Sequence, residues 1–381
     1  MISNLLYTVR GSFAKPYQTP KFLDMPYFPS LDGWRAFAVL MVIFGHATGS
    51  SKAGSTYNVW ADIFIYGNFG VRIFFLLSGF LITSLLIKEY QKWGTISIKN
   101  FFIKRALRIF PVLYLYLMVI ILADRAFNIG MNPDNFYAVG FFYSNFRMFN
   151  GEWFTGHTWS LAVEEQYYLI WPTIFHFLQK HLIIFCATII LIAPFARIFW
   201  HFYPAYYNKT LGPFFQPAET IFFGSLIAII TFKGIINEKS KLWEIKGLNI
   251  ISFIIILTLH YWSRNGIAGV ITIPLRSIIS NILISFLILD TLINPKTFLY
   301  RFLNTKLMIQ IGLISYSLYV WQQLFLVPSD LYVDKVTWSI FPLNIVVVFL
   351  VAYISYYYFE VHFLNIKKKL KSNHNHHEQS H

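Results

Sequence analysis

The chain has 381 residues, 56% hydrophobic and 20% aromatic but only 13% charged. Soluble domains carry about 25% charged residues, so an ordinary water-facing fold is excluded, and one cysteine rules out a disulfide framework or Cys-based metal site within the chain. The net charge of +14 would suggest nucleic acid for a soluble protein. Here the basic residues fall between apolar runs, where they report membrane topology, and no nucleic-acid partner is expected.

Apolar runs of spanning length, about 20 residues, lie at 31–50, 66–87, 109–127, 159–178, 182–200, 216–232, 247–262, 273–293, 307–327 and 338–359. This predicts an all-α integral membrane protein, about ten transmembrane helices in one bundle, with both termini on the same side. Twenty-one Lys and Arg fall on the side of the termini and seven on the other, Arg125 and Arg197 being counted there at the outer ends of their runs, and Arg35, Arg72 and Arg276 lie within spans. The bias makes the termini cytoplasmic. Residues 1–29 read as a cytoplasmic segment without a signal-peptide pattern, and 30–361 as the membrane domain. Residues 362–381 are basic, then histidine-rich (HNHH). A solvated, disordered terminus and a metal-binding tail are the two readings there.

In chain order, the first span carries Arg35 and His46. Eleven helical steps bring them to nearly the same face, about 16 Å apart along the axis. Ionisable groups inside a membrane mark functional sites by default. Neutral imidazole suits general-base work on a hydroxyl, while a buried, hydrogen-bonded core histidine is the plain alternative. Arg35, near the cytoplasmic end, suits a phosphate. The second span brings Gly70 and Gly79, a sign of close helix packing, and Arg72 at a depth similar to His46. Arg72 either serves the site or snorkels to the outer interface.

The stretch 89–108 reads as a basic, partly amphipathic cytoplasmic segment along the membrane surface. Within it Arg105 and Arg108 share a helical face beside Lys104. They are either topology anchors or forked donors for a multiply phosphorylated ligand. The loop 128–158 is rich in Asn and aromatic residues. It offers rings for stacking on sugars, or simply the interfacial aromatics of any membrane protein. Trp159 follows, and Glu164 and Glu165 stand about one turn into the fourth span. Buried carboxylates there need a partner, and one of them could orient His46 as in a triad without serine.

The motifs RAFAVLMVIFGH, GVRIFFLLSGFLI, KRALRIFP, WSLAVEEQYYLIWP, ISYSLYVWQQ and YYYFE, in that order, resemble the membrane acyltransferase family 3, polytopic O-acyltransferases of bacterial surface glycans. The resemblance covers about residues 30 to 360. It implies that Arg35 and His46 are functional, that Arg105 and Arg108 contact acyl-coenzyme A, and that Glu164 or Glu165 supports the site. Lys104 stands where the family often has arginine, and Gln322 where it often has histidine, so no catalytic role is carried to Gln322. The hydrolase-like domain of some relatives is not expected here.

The expected activity is O-acyl transfer, of acetyl in the first instance, in the bacterial inner membrane. Acyl-CoA, with acetyl-CoA favoured, is the donor. A hydroxyl of an extracytoplasmic glycan or lipid-linked saccharide, such as an O-antigen, is the acceptor. His46 and Glu164 are the expected catalytic pair, and Arg35, Lys104, Arg105 and Arg108 the donor-binding group. Arg72, Trp159 and Glu165 are expected at the acceptor, with no metal. The rival reading is a transporter or flippase of an acidic or lipid-linked solute, in which the same groups form a path.

Overall fold

Where water is excluded, a backbone can satisfy its polar groups only within itself, so long apolar runs close into helices. The computed structural model describes residues 19–24, 27–51, 55–58, 67–147, 152–206, 212–331 and 338–377. Among these the regular elements are all helical. The expected N-terminal segment up to residue 18 and the last four residues of the tail lie outside them.

The helices are α1 (Pro29–Ser50), α2 (Gly67–Trp93), α3 (Ile98–Phe127), α4 (Pro133–Gly140), α5 (Trp153–Gly156), α6 (Thr158–Phe177) and α7 (Leu182–Phe202). There follow α8 (Gly212–Phe232), α9 (Leu248–Arg264), α10 (Gly269–Ile293), α11 (Phe298–Leu303), α12 (Lys306–Leu313), α13 (Ser315–Phe325), α14 (Leu343–Ser355) and α15 (Val361–His377). Five segments of the described residues are long and apolar enough to cross a membrane: α2, α3, α7, α10 and Leu343–Lys369. α9 and the stretch Pro217–Phe232 of α8 are apolar but shorter. Large apolar side chains on these helices stand open, Phe195 at 71% and Val346 at 62%, as lipid-facing residues do.

Three expectations change. The basic stretch around Lys104 is no separate surface helix, since Lys104, Arg105 and Arg108 ride on the 30-residue α3 itself. Ser97 caps that helix by accepting from the Asn100 amide, and Asn128 ends it in the left-handed region, a conformation asparagine tolerates. The span expected at 307–327 breaks at Ile314 into α12 and α13. Beyond α14 the helix widens into a π turn over Tyr356–Glu360, the YYYFE motif, and α15 continues through the basic tail to His377.

The chain divides into two compact units. The first comprises Met1–Ala38, Asn68–Ile96 and Gln166–Gly312, and the second Val39–Gly67, Ser97–Glu165 and Leu313–His381. In the first, Tyr167 stacks on Trp171 at 5.7 Å and both rings meet Phe222 edge-on. The Trp171 indole donates to Thr83 Oγ1 at 2.9 Å. α2 and α8 touch backbone to backbone: a Cβ on Gly79 would overlap the Ile221 carbonyl oxygen, and one on Gly224 that of Leu76. Small residues permit such close approach, and in a membrane it replaces the hydrophobic drive. Nearby, Arg197 of α7 pairs with the fully buried Glu219 of α8. A cavity of about 490 Å³ also opens in this unit, under residues 235–243 and against Ile282, Ser285 and Phe286. It contains none of the expected site residues.

The second unit packs α3 against α13 around Val112, Tyr116, Phe154, Val320, Trp321 and Leu324. Two phenols, one buried and one partly buried, tie its backbone together, Tyr116 donating to Phe154 O at 2.6 Å and Tyr316 to Ile109 O at 2.7 Å. Each gives a buried polar group the partner it needs.

Candidate active site

His46 sits in the last turns of α1 and is partly buried. Its Nδ1 lies 3.1 Å from Gln322 Oε1. Gln322, fully buried on α13, donates its amide Nε2 to Tyr319 O at 3.2 Å within the same helix. The Trp153 ring meets the imidazole edge-on at 5.5 Å and is anchored by its own indole N–H, which donates to Gln323 O at 2.9 Å.

Gln323, the next residue, holds a second histidine. Its Oε1 accepts from the His157 backbone N–H at 2.9 Å and lies 2.7 Å from His157 Nδ1. His157 Nε2 is 3.0 Å from Val320 O. Adjacent helical residues point about 100° apart, so one dipeptide serves two separate rings. Tyr319 completes the cluster, donating to His157 O at 2.7 Å with Ser160 Oγ 2.6 Å from its hydroxyl. His157 belongs to the turn ahead of α6, outside the predicted spans. Burial holds its imidazole well below the usual range, at about 4, so the ring is neutral near pH 7. A neutral ring carries one N–H, and the two oxygens facing His157 compete for it.

A second group in this unit is charged. Arg105 lies over the Phe101 ring at 5.7 Å. Glu165 interacts electrostatically with Glu164 and with Arg105. The Tyr316 phenol stands in the combined field of Glu360, Glu165, Arg108 and Glu164. Glu360, at the end of the π turn, accepts from Ser317 Oγ at 2.8 Å and interacts with Arg108 and Lys367. One oxygen each of Glu165 and Glu360 is buried without a hydrogen-bond partner, which marks a polar interior not fully closed on itself. Lys104 and Trp159 are partly buried beside these elements.

The expected site is therefore assembled differently from the sequence reading. The side chain at His46 Nδ1 is Gln322, in the place expected for Glu164. The two glutamates share an electrostatic neighbourhood with Arg105 and Arg108. In the first unit, Arg35 pairs with Asp32 one turn earlier on α1, and the Tyr27 hydroxyl donates to Asp32 Oδ2 at 2.7 Å. Arg72 is held by neutral acceptors: Ser277 Oγ at 2.6 Å, Asn281 Oδ1 at 3.1 Å, and Thr220 Oγ1 and Ser277 O at 3.4 Å. Arg35 and His46 do share one helix, as the spacing predicted. Sequence reasoning noted Gln322 but gave it no role, and it missed Gln323, His157, Trp153 and Glu360. The signal for the last was its place in YYYFE; the glutamines carry no charge to attract notice. Among the described residues no group of three His, Cys, Asp or Glu is placed to hold a metal.

Comparison with known proteins bears on this arrangement. The pattern of the family described as "Acyltransferase domain" matches residues 28–357. The chain is 28% identical over 371 residues to the O-acetyltransferase OatA of Staphylococcus aureus strain NCTC 8325 / PS 47, covering 89% of this chain and 58% of the relative. OatA of strain COL gives the same figures. The chain thus spans little more than half the length of these relatives. No solved structure matches it.

Proposed function

The chain belongs to this acyltransferase family, and from that premise we propose that it is a ten-span inner-membrane O-acetyltransferase with cytoplasmic termini. It moves an acetyl group from cytoplasmic acetyl-CoA to a hydroxyl of an extracytoplasmic glycan. The observation that carries the proposal is His46: a partly buried imidazole on an apolar helix, engaged at Nδ1 by an uncharged amide, which leaves Nε2 for chemistry. A neutral base with one free nitrogen suits removal of a hydroxyl proton near pH 7.

In the proposed reaction Nε2 of His46 takes the acceptor's O–H proton as the oxygen attacks the thioester carbonyl. The C–O bond forms, the C–S bond breaks, and the imidazolium returns the proton to the departing thiolate, giving free CoA. Lys104, Arg105 and Arg108 hold the donor's phosphates, for which forked guanidiniums are suited. Glu164 and Glu165 act on those guanidiniums, holding them in place for the donor. Trp153 and Trp159 offer rings to the acceptor sugar.

The test is mass analysis of surface glycans from cells fed labelled acetate. Cells carrying the wild-type gene should show one additional labelled acetyl group per repeat, and cells carrying His46→Ala none, with the variant at normal level in the membrane. Wild-type acetylation by His46→Ala would remove the base assignment. Transport of an unmodified glycan, with no change in its mass, would favour the flippase reading.

A further inference from the structure

An imidazole can act as base only through the nitrogen that lacks hydrogen, so something must decide which nitrogen that is. We infer that Gln322 is the positioning residue that fixes the tautomer of His46, with the Tyr319 carbonyl as its anchor. The inference rests on the reading of His46 as the base.

A glutamine amide has one accepting and one donating end. In Gln322 the donating end is committed: Nε2 gives its hydrogen to Tyr319 O at 3.2 Å, three residues back on the same helix. A carbonyl can only accept, so the amide cannot turn over without setting two oxygens against each other. The end directed at His46 is therefore Oε1, at 3.1 Å from Nδ1. That oxygen also only accepts, so Nδ1 carries the hydrogen and Nε2 keeps the lone pair. Gln322 is fully buried, which denies the amide an exchange of partners with water. The edge of Trp153 at 5.5 Å resists a flip of the ring. Carbonyl, amide and imidazole form a three-member relay whose polarity is set by a backbone atom, which side-chain substitution cannot remove. The same dipeptide sets Gln323 against His157, but there two acceptors face one ring and no single tautomer is selected. The contrast assigns the selecting role to Gln322 alone.

The experiment uses the full-length protein in lipid nanodiscs, with ¹⁵N-labelled histidine and solid-state NMR. The His46 signals are identified by their loss in His46→Ala. The expected result is a hydrogen-bearing Nδ1 and a bare Nε2; a bare Nδ1 overturns the inference while leaving His46 free to be the base. In parallel, CoA release from acetyl-CoA is followed with isolated surface glycan as acceptor. Gln322→Leu should lower kcat about tenfold, the scale of one lost hydrogen bond, with KM for acetyl-CoA unchanged. Gln322→Glu, which still presents an oxygen to Nδ1 but sets its other oxygen against Tyr319 O, should recover only part of the rate. Wild-type kcat in Gln322→Leu beside an inactive His46→Ala refutes the positioning role alone. Activity in His46→Ala refutes the base reading, and the inference with it.

Discussion

The pair Arg197–Glu219 permits a prediction whose two halves differ in size. Glu219 is fully buried and Arg197 is 15% exposed at its side chain. Arg197 also donates Nη2 to Pro274 O at 2.8 Å and Nε to Ile273 O at 3.2 Å, and Glu219 Oε1 has no partner of its own. Arg197→Met therefore strands a buried carboxylate and withdraws two donors, which should cost about 3–5 kcal/mol. Glu219→Gln leaves the guanidinium with two carbonyls and partial access to solvent; the loss should be nearer one charge-assisted hydrogen bond, about 1.5–3 kcal/mol. Changing both, Arg197→Met with Glu219→Leu, removes the unpaired charge altogether. The double variant should be more stable than Arg197→Met, because apolar replacement of a buried pair is often neutral. Thermal unfolding in detergent, read by size-exclusion fluorescence, measures all three. At about 2–4 °C per kcal/mol for domains of this scale, Arg197→Met should lose on the order of 10 °C. If Arg197→Met is no worse than Glu219→Gln, or the double variant no better than Arg197→Met, the pair is not held as described.

Arg105→Gln should raise KM for acetyl-CoA about tenfold or more, one charge-assisted contact being lost, with kcat little changed. Arg105→Lys should not restore it, because an ammonium reproduces neither the fork nor the stacking on Phe101; a KM equal to wild type in either variant would remove Arg105 from donor binding. For His157 the folded value near 4 lies below the unfolded reference of about 6.5. The unfolded chain thus binds the proton first, and stability falls as pH drops from about 6.5 toward 4. The loss approaches about 3 kcal/mol at the acid end. His157→Gln should flatten the thermal midpoint across that window, and an unchanged slope would show that the ring is not held neutral.

Much of the fold was legible because apolar length and helical period are local properties. The run 31–50 became α1 with Arg35 and His46 both on it, and 182–200 became α7 to within two residues of its C-terminal end. What failed was long-range or uncharged. Gln322 lies 276 residues from His46, and no spacing rule joins an amide to an imidazole across that distance. Arg197 was counted as an outer-loop cation from its place near the end of an apolar run. Its partner Glu219 stood in PAETIFFG as an acid within a span, the one sign that a buried counter-charge was required. The basic face of 98–108 resembled an interfacial helix because amphipathic pattern does not distinguish a surface helix from the first turns of a spanning one. The break at Ile314 follows Gly312 by two residues, but a lone glycine in an apolar run is tolerated within a helix, so it did not announce the break.

The glycine seam between α2 and α8 limits how this part of the molecule can change over time. Where two helices meet through side chains, substitution on one can be compensated on the other, and the pair wanders through many sequences at similar fitness. Here the opposing surfaces are carbonyls, common to every amino acid, so no change across the seam can make room at Gly79 or Gly224. Those two positions should stay frozen while residues a turn away diversify, and a lineage that loses either one must shift a whole helix to survive.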